Sequence, residues 1–180
     1  MVKTMSSKAM KIERMTPSKY QVSTLAMGFV LQMTENKAII SLPGGCVGTV
    51  ELGEVSDVIA KFVKKSDMKD SSSIKKSKKD LKIGDLLTVN QMVRVHVLEQ
   101  TEKKKSKKND ISLSMRSSYI NRHIQMKNVS AGFTLSGCIL SKEDHGYIVS
   151  AGIPNYSFFV PLGNISDMGV DYVIGKSFYT

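Results

Sequence analysis

The 180-residue sequence contains no tryptophan, two cysteines and no hydrophobic run of membrane-spanning length. Two cysteines, Cys46 and Cys138, without a CxxC pair cannot form a disulfide framework, which favours a reducing compartment. Both lie in apolar stretches typical of a protein core. A membrane helix needs about 20 apolar residues, and no segment approaches that length. The first residues also lack the apolar run of a signal peptide, so none is expected.

Residues of the kinds that catalyse reactions are also few. The three histidines, His96, His123 and His145, are scattered without the spacing of metal ligands. The glycine-rich stretch at 43–45 is a turn signal and does not match the GxxxxGK[ST] pattern of a phosphate-binding loop. We therefore expect no enzyme, no cofactor and no metal site.

Acidic residues are outnumbered by basic ones, 16 to 26, which gives a formal net charge of +10. This charge favours a polyanionic partner such as nucleic acid or an anionic membrane surface, although plain solubility would also account for it. Many lysines fall in two runs, at about 61–82 and 103–108. Three interpretations of these runs are compatible with the sequence: solvated loops, a localisation signal, or contacts to phosphate groups.

The most informative feature that is present is an internal repeat. Residues 26–42 align without a gap on residues 135–151, which lie 109 positions later. After one residue of slippage, residues 50–57 align on residues 160–167. Repetition over this length indicates a duplicated supersecondary unit. The second copy is the shorter one, so we expect the chain to be part of a longer protein.

Each copy shows the period-two alternation of β-strands. In the first copy, strands are predicted from Phe29, from Ile39, over 46–52, over 86–98 and over 111–115. Gly28 and Gly137 lie inside the first strands, where a barrel needs a tight bend. Three strands, a break and two more strands are typical of the OB fold, a five-stranded Greek-key barrel, although an open sandwich is also compatible. We predict an all-β protein of two tandem OB barrels, the second one truncated.

The predicted domain organisation follows composition. It comprises a disordered basic tail at 1–22, a first domain at 23–117, a linker with a short helix at 118–131 and an incomplete second domain at 132–180. Ser117 or Ser118 is predicted to cap the linking helix, which would run to about Ile124.

An insertion is predicted in the first domain. Asp57 and Gly84 are separated by 27 positions, whereas the aligned pair Asp167 and Gly175 is separated by eight. The inserted segment, at about 61–82, is rich in lysine and serine, which predicts a mobile loop after a short helix at 58–63.

Several motifs resemble those of the S1 RNA-binding domain family. They are Gly28-Phe29-Val30, Glu54-Val55-Ser56-Asp57, Val93-Arg94-Val95, Ile111-Ser112-Leu113-Ser114-Met115-Arg116, Gly137-Cys138-Ile139 and Phe159-Val160-Pro161-Leu162. The resemblance covers residues 23–180. It implies S1-type OB barrels that bind single-stranded RNA on one face, with aromatic side chains for bases and basic side chains for phosphates.

A narrower similarity rests on Ile40-Ser41-Leu42-Pro43, the lysine-rich insertion and Glu143-Asp144-His145-Gly146-Tyr147. These segments are similar to the family of nucleolar ribosomal RNA processing scaffolds that carry many tandem S1 domains. The similarity implies a nuclear and nucleolar location. It also implies pre-ribosomal RNA and other ribosome-assembly proteins as partners, and no membrane.

The resemblance also implies which residues would contact bases. The family's two aromatic positions fall on Asn36 and Ile39 in the first copy and on His145 and Ile148 in the second. The family's histidine on the third strand falls on Glu51 and Pro161. Neither copy keeps the full set. In the second copy Tyr147 and Phe159 are candidates to substitute, with core packing as the alternative, and His145 is a third candidate.

The remaining candidates are basic. Arg94, His96 and Arg116 share the outward parity of neighbouring strands, and Arg116 matches the basic residue that ends the family's last strand. The lysine candidates are Lys75, Lys76, Lys78, Lys79, Lys104 and Lys105. Binding of about five phosphates by such groups would give a log–log salt slope of about −3 to −4.

Two other functions are compatible with the sequence. The first is a protein-interaction module that has lost its RNA contacts, which Ile39 and Glu51 favour for the first copy. The second is an accessory RNA-binding domain of a translation factor or an RNA-degrading complex.

Overall fold

A computed structural model describes residue 16 and residues 19–68, 81–101, 110–164 and 174–179. The first unit contains β1 (Leu25–Met33), β2 (Lys37–Leu42), β3 (Cys46–Glu51), β4 (Met92–Thr101) and β5 (Asp110–Ser114). The second unit contains β6 (Ser136–Glu143), β7 (Gly146–Ser150), β8 (Phe158–Pro161) and β9 (Ser177–Tyr179). The described α-helices are α1 (Asp57–Met68), α2 (Ile83–Leu86) and α3 (Ser117–Ile120). None of these helices is long and apolar enough to cross a membrane.

The first five strands form a closed barrel in the order β1-β2-β3-β5-β4. β4 closes the barrel by pairing antiparallel with β1, and β3 and β5 form the parallel pair. Three consecutive strands, a long connection and two further strands in this order make the five-stranded barrel of the OB fold. The predicted fold class is therefore confirmed.

Alternation along the strands fills the barrel interior. Val93, Val95 and Val97 on β4 are fully buried, as their parity predicts, and each such side chain contributes about 1.5–3 kcal/mol by leaving water. At Gly28, an added Cβ would overlap the carbonyl oxygen of Ser41 and lie 2.7 Å from Cγ2 of Ile40. The strands β1 and β2 can therefore approach this closely only because residue 28 is glycine.

The described part of the second unit repeats four of the five strands of the first. Its sheet order, β8-β7-β6-β9, is the order β3-β2-β1-β4 of the first unit. The pairing of β1 with β2 shifts register between Val30 and Gln32, and the pairing of β6 with β7 shifts between Ile139 and Ser141. These two irregularities lie 109 positions apart, which is the offset of the sequence repeat. The two copies therefore share a backbone irregularity as well as a sequence.

One predicted correspondence is wrong. Asn90 donates its backbone N–H to the carbonyl of Val30, and Gly175 donates to the carbonyl of Ile139 in the same way. Both residues have positive φ, +65° and +88°. Gly175 therefore corresponds to Asn90 and not to Gly84, which lies in α2. The insertion is longer than predicted, since 33 positions separate Asp57 from Asn90. The sequence alone could not locate the end of the insertion, because Ile83-Gly84 in α2 resembles Ile174-Gly175 of the second unit.

Other boundaries also differ from the prediction. The helix predicted over 58–63 extends to Met68, so the insertion begins with helix at 61–68. Tyr20, assigned to the tail, is fully buried, and its hydroxyl donates to the carbonyl oxygen of Pro43 at 2.8 Å. Residues 1–15, 17–18, 69–80, 102–109, 165–173 and 180 lie outside the described part of the chain.

The linking helix is shorter than predicted. α3 ends at Ile120 instead of Ile124, and its N-cap residue is Arg116, without a capping side chain. The hydroxyl of Ser118 does not cap the helix because it donates to Asp57.

Candidate nucleic-acid interface

The outer surface of the second unit carries a row of side chains across three strands. Ser141 on β6 lies opposite Ile148 on β7, and Ile148 lies opposite Phe159 on β8. Tyr147 and Val149 point into the core, so strand alternation directs Ile148 and Phe159 outward. Phe159 is 52% exposed, which leaves a large part of its ring open to solvent.

The Phe159 ring lies over Gly146. A Cβ added to Gly146 would stand 2.7 Å from Cζ and 2.9 Å from Cε2 of Phe159, and would overlap the carbonyl oxygen of Val160. The missing side chain at residue 146 therefore lets the ring lie across β7. A half-exposed aromatic ring supported from below is a surface on which a nucleic-acid base can stack.

Polar side chains share this face of the sheet. The Ser141 hydroxyl donates to a carboxylate oxygen of Glu143 at 2.7 Å, and Glu143 lies opposite Gly146. His145 is exposed in the turn between β6 and β7, whereas Lys142 lies opposite the core residue Tyr147 and so belongs to the other face. The second unit thus combines a stacking ring with a hydroxyl, a carboxylate and the histidine of the adjoining turn.

The corresponding row of the first unit has no aromatic ring, and the exposed Phe29 lies in the next row, opposite Ser41. Thr49 lies opposite Ile39 in the register that Phe159 and Ile148 have in the second unit. Next to them, Nζ of Lys37 lies 3.0 Å from Oε1 of Glu51. Such an exposed ion pair contributes little to stability, but it places an acidic side chain where RNA would bind. This row therefore offers no ring on which a base could stack.

Arg116, a predicted phosphate contact, is paired within the protein. Its Nε donates to Oδ1 of Asp57 at 2.9 Å, and a terminal nitrogen lies 3.8 Å from Oε1 of Glu54. Burial alone would lower the pKa of Arg116, but the hydrogen bond and the charge of Asp57 outweigh it, and the pKa is raised. Arg94 points outward from β4 beside Met27 and is half-buried.

His96 was predicted to lie on the exposed face and is buried, with 3% exposure. Its ring stacks on Tyr119 of α3, with centroids 5.2 Å apart and planes 20° apart. The Arg116 guanidinium lies 4.9 Å from the centroid of the same Tyr119 ring. Among the described residues, neither ring nitrogen of His96 has a hydrogen-bond partner. His96 lies on the predicted outer side of β4, but α3 covers this part of the strand and buries the ring.

The buried His96 predicts a pH dependence of stability. Burial, and then the charges of Arg122 and His123, lower the pKa of His96 from its usual value. The unfolded chain therefore binds the proton more readily, and the free energy of unfolding should fall as pH drops below about 6.5 towards the folded-state pKa. Urea denaturation at about pH 7.5 and pH 5 measures this change. His96→Phe, which keeps a ring against Tyr119, should reduce it.

His96→Phe and the wild type share every other titrating group, so their difference isolates His96. An equal loss of stability on acidification in the wild type and His96→Phe would contradict the assignment. His145→Phe is the control, because His145 is exposed and is not among the groups that shift the pKa of His96.

Tyr147, another predicted RNA contact, is buried in the second core with Ile139 and Val149. The six predicted lysines, Lys75, Lys76, Lys78, Lys79, Lys104 and Lys105, lie outside the described residues. The structure therefore places Phe159 on the outer surface of β8 and His145 in the turn before β7, and it places Arg94, His96 and Arg116 elsewhere, on β4 and at the start of α3.

A junction between the two units was missed by the sequence analysis. Asp57, which begins α1, accepts hydrogen bonds from Nε of Arg116 and from the backbone N–H and hydroxyl of Ser118. The buried Asn121 side chain donates to the carbonyl oxygens of Ser136 at 2.7 Å and Ala151 at 2.8 Å. The first unit, the linker and the second unit are therefore joined by hydrogen bonds.

Close packing continues at the junction. A Cβ added to Gly175 would lie 2.6 Å from Cδ1 of Ile59 on α1. Cys138 is fully buried there as a free thiol, outside the clusters that form the barrel cores. Burial, together with the charge of Asp57, raises the pKa of Cys138 to about 11. The predicted burial of both cysteines is correct, but Cys138 belongs to the junction. Within the described residues, no group of His, Cys, Asp or Glu is placed to hold a metal ion.

The closed barrel, its partial copy and the exposed ring define the class of this protein, which is a tandem OB-fold protein of the S1 type. No protein-family model matches the chain. The sequence is similar to the rRNA biogenesis protein RRP5 of Arabidopsis thaliana, with 33% identity over 144 residues. That alignment covers 79% of this chain and 7% of the Arabidopsis protein.

The sequence is also similar to the human protein RRP5 homolog, with 29% identity over 137 residues, or 76% of this chain and 7% of that protein. RRP5 proteins are thus homologues of this chain, which spans 7% of the length of the plant and human proteins. The predicted similarity to a ribosomal RNA processing scaffold is confirmed.

Two solved structures are also similar. The solution structure of GSP13 from Bacillus subtilis is 24% identical and has a TM-score of 0.40, over 63% of this chain and 67% of that one. The a/eIF2alpha–aDim2p–rRNA complex from Pyrococcus horikoshii OT3 contains a chain that is 17% identical with a TM-score of 0.38, over 53% and 44%. The fold assignment rests on the strand order described above.

Proposed function

We propose that this chain is an RNA-binding segment of a scaffold that acts in pre-ribosomal RNA processing and ribosome biogenesis. The names of its RRP5 homologues support the process. The observation that carries the RNA contact is the half-exposed Phe159 ring lying across Gly146 on the second barrel. The net charge of +10 adds attraction to a polyanion.

The two units have different roles in this proposal. The second unit stacks a base of single-stranded RNA on Phe159, with His145 of the adjoining turn close to the phosphate backbone. The first unit contributes mainly by charge, and its lysine runs add phosphate contacts. The exposed Lys37–Glu51 pair and the absence of an aromatic ring opposite Ile39 favour a second candidate function for the first unit, which is contact with another ribosome-assembly protein.

The chain acts by binding and not by catalysis in this proposal, and it works in the nucleus and nucleolus, where ribosomal RNA is processed. The scattered histidines support the absence of catalysis. The process in the homologues' names supports the location.

Phe159→Ala should weaken binding of a short single-stranded RNA roughly 5- to 150-fold, because the loss of one stacked base corresponds to about 1–3 kcal/mol. Fluorescence anisotropy with a labelled RNA at low salt measures the change in Kd. Phe159→Trp should retain binding, since a larger ring still offers a stacking surface.

Tyr156→Ala is the matched control. Tyr156 is also 52% exposed and lies just before β8, but it is not part of the row on the barrel surface. Its replacement should leave Kd unchanged. Equal affinities of Phe159→Ala and wild type, with both proteins folded by circular dichroism, would refute the proposed stacking site.

A further inference from the structure

The outer surface of β1 is apolar and exposed. Leu25, Met27 and Phe29 alternate outward along the strand, and each is about half exposed, between 46% and 51%. Met92 on β4 lies opposite Phe29 and is exposed to a similar degree. These four residues are called the β1 face here. A contiguous group of large exposed apolar side chains marks an interaction surface.

The β1 face continues into a groove beside the linker between the units. The groove has a volume of about 380 Å³ and is lined by Leu25 and Met27 on one side and by Ile120, Ile124 and Phe133 on the other. An apolar side chain inserted here would contact both β1 and the linker. The groove therefore gives a partner a place to anchor next to the β1 face.

The segments that form this side of the molecule contain no acidic residue. β1, the first seven residues of β4 and the linker lie within residues 19–34, 86–98 and 111–135. These ranges carry five basic residues and no aspartate or glutamate, although the whole chain has 16 acidic residues. A negatively charged partner would therefore meet no like charge from these segments.

Two of the five basic residues border the β1 face. Arg94 lies opposite Met27 and also lines the groove. A terminal nitrogen of Arg122 donates to the hydroxyl of Ser23 at 3.3 Å, two positions before Leu25. Carboxylates at the edges of an apolar partner surface would lie near these cations, and such charge complementarity selects one partner over others.

The pairing of β1 decides how a partner can bind. In the closed barrel β1 pairs with β2 on one side and with β4 on the other, so a partner cannot join as a further strand. It must bind through side chains. The distance from Leu25 to Phe29 is about 13 Å at about 3.3 Å per residue. Positions i to i+7 of an α-helix cover a similar length, about 10.5 Å.

We propose that the β1 face binds an amphipathic helix of a partner protein, with apolar side chains at i, i+3, i+4 and i+7 and carboxylates beside them. The proposal rests on the protein contact put forward above for the first unit and is independent of the stacking site at Phe159. Single-stranded RNA fits this face less well. Only Phe29 among the four side chains has a ring, and an RNA strand would lay its hydrated backbone over Leu25, Met27 and Met92.

Selection from a phage-displayed library of helical 16-residue peptides tests the proposal on the intact chain. Peptides selected on the wild type should carry apolar residues at the stated spacing and an excess of aspartate and glutamate. The selected peptide of highest affinity is then labelled for fluorescence anisotropy. Met27→Glu and Phe29→Glu should each weaken its binding roughly tenfold or more, because each puts a charge into the apolar contact. Replacing the peptide's carboxylates by amides should weaken binding about two- to fivefold.

Phe62→Glu is the matched control on the protein. Phe62 is 59% exposed on α1, so the variant adds the same charge away from the β1 face and should leave the peptide's Kd unchanged. Phe159→Ala should also bind the peptide as the wild type does. Loss of the stacking site and loss of the helix site are therefore measured separately. Circular dichroism checks that each variant is folded.

The contrary outcomes are specific. Equal enrichment of peptides on the wild type and on Phe29→Glu would show that the β1 face binds no helix. A weaker affinity of Phe29→Ala for the labelled single-stranded RNA would assign the face to RNA instead. Self-association of the wild type in sedimentation velocity, abolished by Phe29→Glu, would assign it to a second copy of the chain. Each of these results would overturn the proposal.

Discussion

Gly152→Ala should lower the free energy of unfolding by about 3 kcal/mol, because the new methyl group has no room and the backbone conformation is unfavourable. Gly152 has φ of +71°, and an added Cβ would overlap the backbone N and Cα of Ser118 at the junction. Backbone atoms cannot move aside as a flexible side chain can. Urea denaturation measures the loss, and the Cys138 thiol should react faster with a thiol reagent as the junction loosens.

Gly45→Ala is the matched control for Gly152→Ala. Gly45 has nearly the same φ, +74°, but nothing lies within 4 Å of the added Cβ. It should show only the conformational part of the effect, roughly 1 kcal/mol. Equal losses in the two variants would mean that the contact with Ser118 does not hold the units together.

Asp57→Ala should lower the free energy of unfolding by about 2–4 kcal/mol, since it removes three hydrogen bonds and leaves Arg116 without its main partner. The carboxylate and the guanidinium are only 14% and 19% exposed, so water replaces the lost partner poorly. We place the effect below that of a fully buried pair because both groups retain some solvent. Chemical denaturation checks it, and Asp57→Asn should recover part of the loss by accepting from Ser118.

Glu51→Ala provides the comparison for Asp57→Ala. Its partner Lys37 lies 3.0 Å away, but the two side chains are 58% and 62% exposed. An exposed pair of this kind contributes about 0–1 kcal/mol. If Asp57→Ala destabilised the protein no more than Glu51→Ala, the hydrogen bonds at Asp57 would not be a structural feature of the junction.

The strands of the barrel could be predicted because alternation is local and visible in the sequence. Val93, Val95 and Val97 point inward as their spacing indicates. The second sheet could be predicted as well, because the repeated sequence shows the same alternation as the first copy. His96 and Tyr147 show the limit of this reasoning. Alternation indicates the side of β4 on which His96 lies, but it does not show that α3 covers that side. It also does not show which of the aromatic residues Tyr147 and Phe159 faces the core.

Contacts between distant residues could not be predicted. Asp57 meets Ser118 across 61 positions, and Asn121 reaches Ala151 across 30. Neither pair has a sequence pattern, because each depends on how the linker returns over the first barrel. The position of the Phe159 ring over Gly146 likewise depends on the register of β7 and β8. The sequence named Phe159 as a candidate, and only the sheet shows what supports it.

Ultraviolet crosslinking of the chain to a single-stranded RNA, followed by mass spectrometry, tests the central claim most directly. The account predicts that the crosslinked peptides include the β8 peptide that contains Phe159, and that this crosslink disappears in Phe159→Ala but persists in Tyr156→Ala. Crosslinks confined to the first unit or to its lysine runs would contradict a stacking site on the second barrel.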